Sequence, residues 1–371
     1  GDDAFLPPVG EPLNSHLFAT GPGAGETGES DAVLLSARLQ RAALLLTDKY
    51  ASEDGRSVRY RRMRGGGDFG EYVKLSSTLQ TFPLSSLVSL TDPQKLSFFG
   101  NLYNALIMHA NAVLVTNPAA ELREREAVAG GGVTGSDTAA TGATADAAAA
   151  AALALAIQKR SDFYSGRSGA VYRIAGVDFS PDDLEHAILR TNLPHPSQPP
   201  SSLSFLPPTD PRAQLSVSRP AFDCRIHFIL NCGAASCPPI KILTPELVET
   251  AFAAAAAAYL SSEVAVESQE SQEVSQESDI GSQDIGKKVK IAGKIRMPRL
   301  LMWYSRDFGP DLTAVLAKTV SLLPDGPQKR ALGDLVDRSK NGSNGSKGSK
   351  RVVFTLASDP VLESGEEGED G

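Results

Sequence analysis

Asp223-Cys224-Arg225-Ile226-His227-Phe228-Ile229-Leu230-Asn231-Cys232-Gly233-Ala234-Ala235-Ser236-Cys237-Pro238-Pro239 holds all three cysteines of this 371-residue chain and one of its five histidines. Ile226, Phe228 and Leu230 alternate with His227, Ile229 and Asn231. That period predicts a strand with one wholly apolar face. The other face carries His227 and Asn231, which must hydrogen-bond if buried. Gly233 then ends the strand, and Pro238-Pro239 close the turn without donating to a ladder. Side chains at such an exit sit on a rigid element, which suits them to chemistry.

Three chemistries fit these residue types. In the first, Cys232 or Cys237 is a thiol nucleophile and His227 or His186 is its base. In the second, Cys232 and Cys237 form a redox pair, with four residues between them instead of the two of thioredoxin-like sites. The third is a zinc set of Cys224, His227, Cys232 and Cys237. Strand geometry opposes it, because Cys224 and His227, three apart, would face opposite ways. No metal ligands are therefore assigned, and no cofactor is implied. The plain alternative is that the thiols are small buried apolar groups and His227 is a hydrogen-bonded core residue.

Composition narrows the class. Lys and Arg number 36 against 44 Asp and Glu, a net charge of −8. That excludes the basic face of a nucleic-acid binder, although Arg59, Arg61, Arg62 and Arg64 cluster locally. No apolar run approaches the roughly 20 residues of a membrane span. Three cysteines do not make a disulfide scaffold, so the expected setting is reducing: intracellular and cytoplasmic. No signal peptide is visible, and a chain opening on Gly1 is expected to be a fragment or a processed product.

Read in order, residues 1–30 form a linker, with a short docking segment at Pro12–Leu17. Helical spacing begins at Asp31 and closes at Tyr50. Val58–Arg64 reads as a short extended piece, and a helix follows over Phe69–Leu79. Thr91-Asp92-Pro93 starts a helix running to about Val115, apolar on nearly every side and so buried. Asn101 and Asn104 share one face of it and demand partners, either loop backbones or a pocket. His109 lies on the far side of Asn101 from Asn104. Residues 117–160 are an Ala/Gly/Thr-rich insertion expected to be disordered. Tyr172–Val177 is a strand and turn. Ser180-Pro181-Asp182-Asp183 starts a helix carrying Glu185, His186 and Arg190. On an α-helix Glu185 and His186 would point about 100° apart. His195 sits exposed between prolines, and Arg212 is placed to pair with a carboxylate. Thr244-Pro245-Glu246 caps an alanine-rich helix. The acidic tract 261–286 is expected to be disordered. Beyond it come a strand near Val289, a short helix at Met297–Gly309 with Trp303 and Phe308 in the core, a helix at Leu312–Leu323, a linker at 339–350, a closing strand at Val352–Leu356 and an acidic tail at 361–371.

Several of these motifs, in this order, resemble a family known only as domain of unknown function 547. They are Phe99-Gly100-Asn101-Leu102-Tyr103-Asn104-Ala105-Leu106 with His109, Leu184–Arg190, Asp210-Pro211-Arg212, Arg225–Gly233 with Ser236–Pro239, and Trp303–Gly309. The resemblance covers about 31–360, broken by the two insertions. It implies an uncharacterised domain that in plants and algae often follows glutaredoxin and DEP domains, and so a multidomain parent. Cys224 stands where the family usually has proline. Plant members often lack the equivalents of Cys237 and Glu185-His186, which favours Cys232, His227 and the two asparagines as the shared residues.

The expected fold is α+β, a helix-rich single domain with a small sheet containing residues 225–231, interrupted by disordered insertions. The expected function is an intracellular interaction or regulatory module with a protein partner. The alternatives are a cysteine–histidine hydrolase or transferase, and a thiol redox function linked to a fused glutaredoxin. Candidate catalytic residues are Cys232, His227, Cys237 and His186. Asn101, Asn104, His109, Glu185, Arg190, Arg212 and Asn231 are pocket or structural polar residues.

Overall fold

Helix α5 (Asp92–Leu114) is the axis of the fold, and every residue from Lys95 to Ala110 is buried. Its sequence offers no polar stripe, so neighbours cover it all round, chiefly α1 (Glu29–Lys49). Phe98, Phe99, Leu102 and Leu106 are fully enclosed. Each such side chain contributes about 1.5–3 kcal/mol relative to an exposed one. The computed structural model describes residues 6–7, 11–15, 29–52, 58–114, 161–199, 201–231, 239–267, 273–274, 289–341 and 351–356. The 117–160 insertion therefore lies outside the described residues, as do Cys232 and Cys237.

Between α1 and α5 lie α2 (Tyr60–Arg64), α3 (Gly67–Ser77) and α4 (Leu84–Val88). The extended piece expected over 58–64 is confined to one bridge, Ala51 to Val58, and the arginines that follow are helical. After the insertion, β1 (Tyr172–Ile174) and β2 (Val177–Phe179) form an antiparallel hairpin. Its two-residue turn needs positive φ twice, and Ala175 (51°) and Gly176 (78°) supply it. Ser180 and Asp183 then bond each other reciprocally, as a capping box requires. The winding they start is not an α-helix: Asp183–Leu189 is π-helical, with Arg190 N–H donating to Glu185 O at 2.8 Å.

Four asparagines take the place of ladder partners for extended backbone. Asn14 donates to Arg173 O (2.9 Å) and accepts from Arg173 N–H (2.8 Å). Asn101 does the same with Leu243 (2.9 and 2.9 Å), and Asn192 with Leu206 (2.9 and 2.7 Å). Asn104 donates to Ile229 O (3.1 Å) and accepts from Asn231 N–H (2.8 Å). A primary amide has one donor group and one acceptor, so it satisfies a buried peptide as a neighbouring strand would. The expected docking segment owes its hold to this device: Leu13 and Asn14 are wholly buried.

The small sheet does not contain residues 225–231. Cys224–Phe228 is a 3-10 turn. Asp223 accepts from Arg225 N–H at 2.9 Å and starts the turn, just as Asp210 accepts from Arg212 N–H at 2.9 Å to start Pro211–Leu215. Ile226, His227, Phe228 and Ile229 are all buried, so there is no exposed face for alternation to mark. The zinc argument from opposite strand faces falls with the strand.

Helix α6 (Val248–Glu263) packs on this turn. The tract expected to be disordered from 261 opens with the end of α6 and then β3 (Ala265–Glu267), with β4 (Glu273–Val274) further on. Both pair antiparallel with β5 (Val289–Met297), and β6 (Arg351–Leu356) pairs parallel with it. Four helices fill the space between β5 and β6: α7 (Arg299–Trp303), α8 (Ser305–Phe308), α9 (Leu312–Leu322) and α10 (Pro327–Asn341). Trp303, expected in the core, is 50% exposed, whereas Phe308 is buried. Among the described residues no helix is long and apolar enough to cross a membrane.

Candidate functional site

The π-helical segment, the 3-10 turn and α8 meet in a buried cluster of charges. Asp307 on α8 is its centre. Arg190 grips the carboxylate with two parallel bonds, Nε to Oδ2 (2.7 Å) and Nη2 to Oδ1 (2.8 Å). His227 Nε2 donates to the same Oδ2 at 2.8 Å. Burial alone would push the Asp307 carboxyl up, but the bonds from His227 and Arg190 outweigh it and hold it well below the usual range. The Tyr304 ring stacks on His227 with centroids 3.7 Å apart.

Glu185 stands between two imidazoles. Its Oε1 is 3.9 Å from His186 Nδ1 and 3.9 Å from His227 Nδ1. The divergence expected of Glu185 and His186 on an α-helix does not occur, because wider π winding turns successive side chains through a smaller angle. Burial pushes the Glu185 carboxyl up; the neighbouring imidazoles, the Tyr304 hydroxyl and Arg190 bring it below its ordinary value. Burial drives His186 down to about 3, against the pull of Glu185. The ring is neutral, and its tautomer is fixed. Arg190 Nη1, which can only donate, lies 3.0 Å from Nδ1, so the proton is on Nε2. Arg190 Nη1 also donates to Pro194 O at 3.2 Å.

The other candidates divide into separate groups. Asn104 and Asn231 meet through the backbone bond already described, and Asn101 sits one turn earlier on α5, also within bonding distance of Ser36. These amides bind loop backbones. His109 lies elsewhere, in a nest with Phe69, Tyr72 and Tyr172. Tyr72 donates to Ala105 O, so it accepts from Tyr172, which in turn accepts from His109 Nδ1. Arg212 pairs with Asp210 and Asp183 and braces the start of the π segment. Cys224 is buried, and burial pushes its thiol up to about 11.

Sequence reading missed Asp307, Tyr304, Asp182 and His195. Asp307 is 80 positions from His227 and 117 from Arg190. No local period could join them, though Asp307 lay inside a quoted motif. His195, expected to be exposed, is half-buried with its ring edge-on to His186 at 4.5 Å. Burial, with Glu185 and Asp183 nearby, pushes the Asp182 carboxyl up to about 7.

These features define a helix-rich α+β domain closed by asparagine clamps around an internal histidine–carboxylate–arginine cluster. Residues 87–260 match the model of the family described as "Protein of unknown function, DUF547". That span carries α5, the hairpin, the π segment and the 3-10 turn; Asp307 lies beyond it. No curated protein and no solved structure matches the chain.

Proposed function

We propose that this chain is an interaction and regulatory module of a larger intracellular protein. One observation supports the reading: each imidazole of the cluster has both ring nitrogens turned to fixed neighbours. His227 has Asp307 on Nε2 and Glu185 near Nδ1; His186 has Arg190 on Nδ1 and Asp182 3.8 Å from Nε2. A general base needs a nitrogen within bonding reach of the proton it takes. Neither ring, with side chains 1% and 3% exposed, offers one to solvent. A partner protein would instead meet the outside. A groove of about 560 Å³ between α1 and α3, lined by Leu45, Leu46 and Leu75, suits a peptide segment, and Leu34 and Leu45 on α1 are 59% and 62% exposed.

The 2.8 Å His227–Asp307 bond resembles the base–orienter half of a cysteine–histidine enzyme, so thiol reactivity is the test. Iodoacetamide alkylation of each cysteine is followed against pH by mass spectrometry on the folded protein. Cys224 is expected to stay unlabelled until denaturation, and Cys232 and Cys237 to titrate near the unperturbed value of about 8.5. A thiol titrating well below that value, and slowed by His227→Ala, would replace the module reading with a hydrolase or transferase. A Cys232–Cys237 disulfide in the non-reduced protein would replace it with thiol redox chemistry.

A further inference from the structure

Asp182, His186 and His195 each present one ligand atom, and these atoms all lie within 4.8 Å of one another. We propose that they bind one divalent transition-metal ion of the zinc class, with a coordination position left for water. Two imidazoles and one carboxylate are borderline donors that suit such ions, and three protein ligands leave the site open. This goes beyond the module reading and does not depend on it.

The charge balance around the cluster supports a cation. Asp307 has Arg190, Asp183 has Arg212, and Asp162 has Arg167. Among the described residues, Asp182 and Glu185 have no lysine or arginine within ion-pair distance; histidines are their nearest basic groups, and Arg167 and Arg190 act on them only from further off. Two carboxylates thus share a mostly enclosed region without a cation of their own, and a divalent ion would offset both. Asp182 would bind it directly, and Glu185 would hold the ligand His186 from behind, as carboxylates do at histidine metal sites.

The proton bookkeeping is specific. His186 now carries its proton on Nε2, the nitrogen nearest Asp182. Metal at Nε2 takes that place, and the proton moves to Nδ1, where Glu185 Oε1 accepts it after closing from 3.9 Å. The His186 imidazole keeps its single proton through this exchange. Arg190 Nη1 gives up Nδ1 and keeps Pro194 O. His195 Nδ1 lies 2.6 Å from Ser197 Oγ, which can accept its proton and free Nε2 for the ion; the contact from Ser197 N–H at 3.2 Å is then lost. Ligand atoms on a tetrahedral ion with bonds of about 2.0–2.2 Å stand roughly 3.4 Å apart. The set must therefore contract by up to about 1.4 Å, and His195, half-buried on a loop between two prolines, is the member able to move.

The full chain, stripped with a chelator, is titrated with Co²⁺, with visible absorption and calorimetry as readouts and Zn²⁺ as competitor. One Co²⁺ per chain is expected, displaced by Zn²⁺. His195→Ala and Asp182→Asn should each weaken binding at least about tenfold, and Glu185→Gln about 10–100-fold through His186. His195 is half-buried against His186, so the far-ultraviolet circular dichroism of metal-free His195→Ala should match wild type to show that lost binding is not lost folding. Cys232→Ser with Cys237→Ser should leave binding unchanged. The absence of saturable binding would overturn the proposal. So would binding kept in His195→Ala but lost in the cysteine double variant, which would assign the ion to the thiols.

Discussion

Asp307→Ala is expected to remove about 3–5 kcal/mol of stability, because it strands a buried charge whose partner is gone. Arg190, with a side chain 4% exposed, would lose both of its parallel bonds, and His227 would lose the acceptor on Nε2. For a domain with about 5–15 kcal/mol in total, that is between about a fifth and all of its stability. Asp307→Asn should cost nearly as much, since in either orientation its amide turns a donor toward Arg190, which can only donate. The pair Arg190→Met with Asp307→Leu should recover much of the loss, because apolar replacement of both partners removes the desolvation penalty. Urea midpoints at constant m-value would measure each step. The pH dependence has a defined sign. A carboxyl held below its ordinary value stabilises the fold fully above the unfolded pKa of about 3.9, and that contribution disappears as pH falls below it. The acid limb of wild type should therefore be steeper there than that of the double variant. An Asp307→Ala protein within about 1 kcal/mol of wild type would show that the cluster is not fixed as described.

The parts of the fold that could be read from sequence are those where one local rule dominates. Helix α5 announces itself by a proline cap and apolar residues on every side, the first strand of the hairpin and its turn by Tyr172–Val177, and the π segment's start by Ser180 and Asp183. The 3-10 turn at Cys224–Phe228 could not be read from period, because burial on all sides produces alternation by accident. Its true signal was Asp223 two residues before Arg225, the same pattern already visible in Asp210 and Arg212. For the candidate site, His227, Glu185, His186 and Arg190 were legible as polar residues among apolar ones. Their convergence was not, since it depends on Asp307 arriving from 80 or more residues away, beyond α6 and β5. Nor was Asn101's role apparent until Leu243 was seen to lie beside Gly100, where an added Cβ would come within 2.8 Å of the leucine side chain.

Asn104→Ala and Asn101→Ala are each expected to cost roughly 2–6 kcal/mol, since each strands one backbone donor and one acceptor at about 1–3 kcal/mol apiece when buried. The two variants should differ in where the damage falls. Asn104→Ala frees Ile229 O and Asn231 N–H, next to Cys232; Asn101→Ala frees both groups of Leu243. Hydrogen exchange should therefore quicken at Asn231 N–H in the first variant and at Leu243 N–H in the second, beyond the change common to the whole domain. Alkylation of Cys232 in the folded state should speed up more in Asn104→Ala. Asn101→Asp should be no better than alanine: its carboxylate keeps the bond from Leu243 N–H but sets an oxygen against Leu243 O in a buried place. If Asn104 served a pocket and not the backbone, its alanine variant would melt like wild type and the Asn231 amide would stay as protected as before. The clamp account makes the opposite claim, that Asn101 and Asn104 act on the thiol-bearing stretch through the backbone at its two ends.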